Sequence, residues 1–312
     1  MIFSTSVIAF ILELISSMNL NESTLRDNSE TSTSTIIIIN CIINVPLMLA
    51  AILGNSLVLV SIFASQSLRS RPSMILLCSL AFSDLAVGLI GQPIFVSREL
   101  TLNLYIVNMS GVISIGLCAI SLATMTLISV DRVLALQYHM SYKILGTTSR
   151  VIFTITFVWL FHVVVSCIWF FNVAALLYIA NALIGTYSFV TVICYIYIYR
   201  IVRRHRSQVL MQQRAVQSFN TRANAHNMVS EKHIAFNTFV FFICTCFCYI
   251  PWFICRFSIG GKIFPKNSAC IFTVTFIYVN STINPLLYCW RLRELRAAVK
   301  NMLAKIFCKQ QG

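Results

Sequence analysis

Seven long apolar blocks organise the chain, at approximately 36–64, 72–97, 103–137, 150–172, 175–204, 231–258 and 268–290. Each can cross a hydrocarbon core about 30 Å thick, for which a helix needs roughly 20 residues. Backbone polar groups in lipid must be satisfied within the segment, so blocks of this length read as helices. The third block is longer than the crossing requires, and it should tilt and protrude. The connection between the fourth and fifth blocks nearly vanishes. Asn172 and Asn181 favour a break near 172–179, whereas one continuous block there would leave six spans. Ahead of the blocks, Met1 to Ser17 is apolar but short, contains Glu13 and lacks a basic start. It is either a weak signal peptide or an unstructured leader. Asn19 to Thr35 is a polar, Ser/Thr-rich tail expected to lack structure, and Asn21-Glu22-Ser23 is a glycosylation sequon. The expected plan is an extracellular tail over 1–35, a membrane domain over 36–290 and a cytoplasmic end over 291–312.

The third block carries its own pattern. Ser114, Cys118, Ser121, Met125, Ile128 and Arg132 recur at steps of three and four and share one face of a helix. The residues between them are mostly Leu, Ile, Ala and Val. The block ends in the acid–base pair Asp131-Arg132. A helix with a greasy exterior, a small polar seam and a charged foot needs other helices around the seam and water at the foot.

Composition agrees with this reading. Only 10% of the residues are charged and 58% are hydrophobic, against about a quarter charged in an ordinary soluble domain. The net charge of +14 raises the thought of nucleic acid, but its placement removes it. With the N-terminus outside, eighteen of the 23 Lys and Arg fall on the inner connections and the C-terminal end. Arg26, Arg98, Arg256, Lys262 and Lys266 remain outside. That bias follows the positive-inside rule. Most of the twelve cysteines stand singly inside apolar blocks and read as small buried residues, with no transition-metal site among them. After the seventh block, Leu292, Leu295, Val299, Met302, Leu303 and Ile306 form an apolar stripe opposite Arg291, Arg293, Arg296, Lys300 and Lys305. This predicts a basic amphipathic helix on the inner leaflet. Cys308 beside it is a candidate for palmitoylation.

An ionisable group inside a span is costly and marks function by default. Asp84 lies in the middle of block two. Asn55, Ser121, Asn280, Ser281 and Asn284 lie at similar depth. They either form a hydrated pocket for a small cation or serve as hydrogen-bond glue between helices.

These residues also carry a resemblance. Gly54-Asn55, Leu80 to Leu85, Asp131-Arg132, Trp159, Cys248 to Pro251 and Asn280 to Tyr288 appear in order over seven spans. The chain resembles a rhodopsin-like (class A) G-protein-coupled receptor over about residues 36 to 308. The resemblance implies an all-α bundle of seven transmembrane helices in the plasma membrane, with the N-terminus outside and a short helix on the inner leaflet. It implies an extracellular ligand, a heterotrimeric G protein as partner and no enzymatic activity. Arg132 would contact the G protein, with Asp131 and Glu231 holding it at rest; a solvated helix start is the other reading of Glu231. Tyr195 and Tyr288 would swing inward on activation. Tyr249, Asn284 and Pro285 would belong to the same switch, and the Pro251 kink would let the inner half of helix six move outward. Asn55, Asp84, Ser121, Asn280, Ser281 and Asn284 match the family's allosteric sodium site completely. No other cofactor is implied.

Departures from the family pattern are as informative. No cysteine stands near Val107 for the outer disulfide, and the second outer loop is minimal. Melanocortin receptors share both absences, and the adenosine, cannabinoid and lysophospholipid cluster has related features. Ile94, Val107 and Gly111 stand where melanocortin receptors place acidic residues, so their peptide and calcium ion are not carried over. Tyr249 replaces the usual tryptophan, Tyr187 the proline of helix five and Val133 the tyrosine after Asp-Arg. Cys255 and Cys270 either bridge the last outer loop or stay free thiols. The ligand pocket implied is lined by Gln92, Arg98, Glu99, Ser114, Cys118, Tyr249, Arg256 and Tyr278. Ser114 in place of an aspartate argues against a biogenic amine, and Tyr278 in place of a lysine argues against retinal. Arg256 either binds an anionic ligand or, as favoured here, pairs with Glu99 at the rim. The expected ligand is an anionic or lipid-like small molecule, or a small peptide. Cys289 to Gly312 contains no Ser or Thr, so arrestin capture would depend on Ser207, Ser218, Thr221 and Ser230. A receptor active without ligand, or one that has lost signalling, is the nearest alternative. A transporter would show repeated halves, and none is visible.

Overall fold

The computed structural model describes residues 28–101, 103–138, 147–215, 240, 243–255 and 268–308. Some helix-end side chains, including those of Cys270, Arg291 and Cys308, lie outside that description. Among the described residues the chain is helical throughout, without strands. Helix α1 spans Asn28–Ala64 and α2 Pro72–Leu100. Helix α3 spans Leu104–Gln137, and α4 Thr148–Ser166 is prolonged by a 3-10 turn at Cys167–Phe170. Helix α5 runs over Val173–Ala215 and α6 over Ile243–Cys255. Helix α7 covers Ser268–Arg291 and α8 Arg293–Cys308.

Local chemistry explains the boundaries. Pro72 starts α2, where its missing N–H costs nothing. The Asn103 side chain caps α3 by accepting from the Tyr105 amide at 2.9 Å. Asn172 does the same for α5, accepting from Ala175 N–H at 3.0 Å. The tight turn and this cap separate α4 from α5 and exclude the six-span alternative. The polar tail expected to lack structure through Thr35 is instead helical from Asn28. In α2 a π-turn at Val87–Gly91 precedes Pro93, where the proline removes one backbone donor.

Five of the helices, α1 to α5, are long and apolar enough to cross a membrane. Helix α7 has the length, at 24 residues, but carries Thr273, Thr275, Asn280, Ser281 and Asn284 on its buried face. Its polarity points inward, which a hydropathy average cannot separate from polarity facing lipid. Among the described residues the core forms three apolar clusters. An inner one joins Val58, Leu77, Leu80, Met125, Tyr288 and Leu295. A middle one joins Leu122, Cys248, Tyr249 and Ile277. An outer one joins Cys41, Phe95 and Tyr278. Leu295 and Val299 of α8 are buried in the inner cluster and Leu303 packs against it, so these members of the apolar stripe face protein and not the leaflet. Close approach also shapes α1 against α7: a Cβ on Gly54 would stand 3.0 Å from Pro285.

Candidate functional site

Asp84 is fully buried, and three partners converge on it. Its Oδ1 accepts from Ser121 Oγ at 2.7 Å and from Ser281 Oγ at 2.8 Å. Its Oδ2 accepts from Asn284 Nδ2 at 2.7 Å. One carboxylate therefore joins α2, α3 and α7. A charge at the bilayer centre costs about 2.5–3.5 kcal/mol on insertion scales, and charge-assisted hydrogen bonds offset it.

The other two residues of the expected set do not reach the carboxylate. Asn55 donates to the carbonyls of Ala51 at 2.9 Å and Ser281 at 3.1 Å, tying α1 to the backbone of α7. Asn280 donates to Met125 Sδ at 3.5 Å, and Asn284 Nδ2 lies 4.0 Å from the same sulfur. Met125 was visible in the α3 seam but not as part of this site. Its signal was its position four residues after Ser121. The set also fits a small hard cation. Asn284 Oδ1 is buried without a hydrogen-bond partner, and with the Asp84 carboxylate and the Ser121 hydroxyl it makes an oxygen-only donor set.

Below Met125 lies an inner cavity of about 50 Å³, bordered by Leu80, Met125, Arg132, Tyr195, Tyr288 and Leu292. Met125 thus touches the Asp84 pocket above and the cavity below. At the cavity edge Arg132 donates to Asp131 Oδ2 at 2.6 Å. Ser129 donates to the Met125 carbonyl at 3.1 Å and also lies 3.3 Å from the Tyr195 hydroxyl. Tyr195 and Tyr288, expected to move toward this region, already border it. Glu231, the expected second holder of Arg132, lies outside the described residues.

Toward the outer side, Ser114 and Tyr278 share a hydrogen bond of 2.8 Å. Tyr278 is fully buried and meets the Phe95 ring edge-on at 5.4 Å. Gln92 is fully buried with neither amide atom partnered. Cys118 is half-buried and free, and Tyr249 is buried against Leu122 and Ile277. Arg98 pairs with Glu99 through both Nε, at 2.9 Å, and Nη2, and stands over the Phe95 ring at 4.8 Å. Arg98 thus reaches one carboxylate oxygen of Glu99 from the adjacent residue. Arg256 lies outside the described residues, as does Asn21. Cys255 is disulfide-bonded, and the Cys270 and Cys308 side chains are outside the description.

Two polar pairs were not foreseen. Tyr187 hydrogen-bonds His162 Nε2 at 3.0 Å, while His162 Nδ1 lies 2.8 Å from the Val158 carbonyl. The carbonyl requires the proton on Nδ1, so Nε2 accepts from the tyrosine. Thr126 and Thr191 join α3 to α5 at 3.1 Å. Tyr187, Thr191 and Tyr195 stand four residues apart, which was the available signal.

Comparison with known proteins adds the following. Residues 54–176 match the family described as 7 transmembrane receptor (rhodopsin family). The chain is 27% identical over 286 residues to "Cannabinoid receptor 1" of Xenopus laevis, covering 80% of this chain and 60% of that protein. It is 23% identical over 296 residues to "Neuromedin-U receptor 2" of Rattus norvegicus, covering 83% and 73%. It is 30% identical over 125 residues to "Alpha-2A adrenergic receptor" of Danio rerio, covering 39% and 32%. The chain therefore spans less than two thirds of the frog protein's length.

Proposed function

The chain belongs to the rhodopsin-like (class A) family of G-protein-coupled receptors, and on that premise we propose that it binds an extracellular ligand and activates a heterotrimeric G protein. It is a multi-pass membrane protein, which we place in the plasma membrane with its N-terminus outside and its C-terminus in the cytosol. One observation carries the reading: Asp84 gathers α2, α3 and α7, and Met125 connects that hub to a cavity edged by Arg132. A ligand that shifts α3 against α7 strains Ser114–Tyr278 first and the Asp84 bonds next. Pro251 offers no N–H to the Phe247 carbonyl, so α6 bends there at low cost and its inner half moves outward. That movement frees Arg132 from Asp131 for the G protein. Asp84, Ser121 and Asn284 would hold a sodium ion, which when bound adds a positive charge that stabilises the resting arrangement. Among the described pocket residues the two charges, Arg98 and Glu99, neutralise each other. This favours a ligand whose deep part is uncharged and lipid-like; the anionic version depends on Arg256. The basic face of α8 meets inner-leaflet lipids.

The test is G-protein dissociation in cells, read with and without candidate ligands. Arg132→Ala should abolish both basal and ligand-driven signals at equal surface expression. Signalling that survives this change would overturn the reading.

A further inference from the structure

Helix α3 meets the end of α4 through two glycines. A Cβ on Gly116 would stand 2.7 Å from Ser166 Oγ, and one on Gly111 would stand 2.4 Å from the six-membered ring of Trp169. No real Cβ tolerates such a distance, so Gly111 is a notch that the indole occupies. Small residues permit close approach of this kind between membrane helices. Trp169 sits in the 3-10 turn after α4 and is 5% exposed. Its Nε1–H donates to Asn108 Oδ1 at 3.2 Å. Asn108 and Gly111 are three residues apart and share a face of α3. The indole therefore engages one helical turn twice, by shape at Gly111 and by hydrogen bond at Asn108. Three residues further along α3 is Ser114, bonded to Tyr278 at 2.8 Å. The outer turns of α3, Leu104 to Gly111, contain no cysteine, so no disulfide holds this helix end.

We propose that Trp169 is a positioning residue: its indole, seated in the Gly111 notch, fixes the outer end of α3 and so the placement of Ser114 against Tyr278. The seating is independent of signalling, while its bearing on a ligand pocket rests on the receptor reading above. A buried indole brings a large contact area and a directional N–H. Both act on α3 from a turn anchored between two helices. Without it, α3 and α7 would be free to drift apart at the Ser114–Tyr278 bond.

The experiment uses the full chain in detergent or nanodiscs and needs no ligand. Gly111→Ala and Trp169→Ala should each lower the melting temperature by about 5 °C or more. Trp169→Phe should leave room for the added methyl, so Gly111→Ala with Trp169→Phe should melt above Gly111→Ala alone. The second readout is the rate at which 2-aminoethyl methanethiosulfonate, added from the outer side, labels Cys118. This thiol is free and half-buried, one turn inward of Ser114, and Cys118→Ser assigns its signal. Trp169→Ala should raise that rate severalfold; Trp169→Phe, which keeps a ring but loses the N–H, and Asn108→Ala, which removes only the acceptor, should each raise it less. Additive losses in the double variant would overturn the notch. A lower melting temperature with unchanged Cys118 labelling would reduce Trp169 to packing and overturn its positioning role. Neither readout depends on G protein, so failure of the receptor reading would leave both results standing.

Discussion

Helices α2 and α4 look alike as apolar blocks, yet the protein uses them differently. In the most apolar stretch of α2, 61% of residues are buried inside the protein; in α4 the share is 11%. Helix α2 contributes Asp84, the hub for α3 and α7. Helix α4 turns Phe153, Phe157, Leu160 and Val164 outward and touches the bundle along one narrow edge. Hydrogen bonds mark that edge: Trp159 Nε1 donates to Ser79 at 3.0 Å, His162 accepts from Tyr187, and Trp169 donates to Asn108. Lipid is as apolar as leucine, so hydrophobicity does not drive one helix onto another there. Sparse polar groups decide which face goes inward.

Substitutions can break this comparison, and the largest effect belongs to α2. Asp84→Ala removes the acceptor for three donors and should cost about 3 kcal/mol, read as a lower melting temperature in detergent; an unchanged value would mean the hub does not hold the helices together. Next comes Gly54→Val, where the added side chain meets Pro285 and should cost about 1–3 kcal/mol by overpacking. On the α4 edge, Tyr187→Phe leaves His162 Nε2 without its donor and should cost about 1 kcal/mol, with a double change to His162→Leu less than additive. The salt bridge of Arg71 with Glu294, at 2.6 Å but about half-exposed on both sides, should contribute less than about 1 kcal/mol and fade with salt. Smallest is Phe157→Leu on the lipid face, expected within about 0.5 kcal/mol. A large loss there would show that this face meets protein.

Much of the site was legible because its residues sit in short, ordered motifs whose depth follows from the block boundaries. Asp84, Ser121, Ser281 and Asn284 could be brought to one level by counting turns. Direction could not be counted. Asn55 and Asn280 lie at the right depth but turn to backbone and to sulfur, because neighbouring carbonyls and Met125 offer nearer partners. Arg98 reaches the Glu99 carboxylate because it stands one residue away, a pairing that depth does not single out. Tyr187 and His162 are far apart in sequence, and nothing in either block shows that α4 lies against α5 at that height.

The sequence by itself determined the number of spans, the depth of the ionisable groups, the charged foot of α3 and the amphipathic last helix. These follow from periodicity and from the cost of polar groups in lipid, which act within a segment. Only the tertiary structure decided which polar groups met, where Met125 stands between hub and cavity, and that an indole fills the notch at Gly111. Those outcomes depend on rotation of one helix against another, which hydropathy leaves open and which contacts of a few ångströms settle.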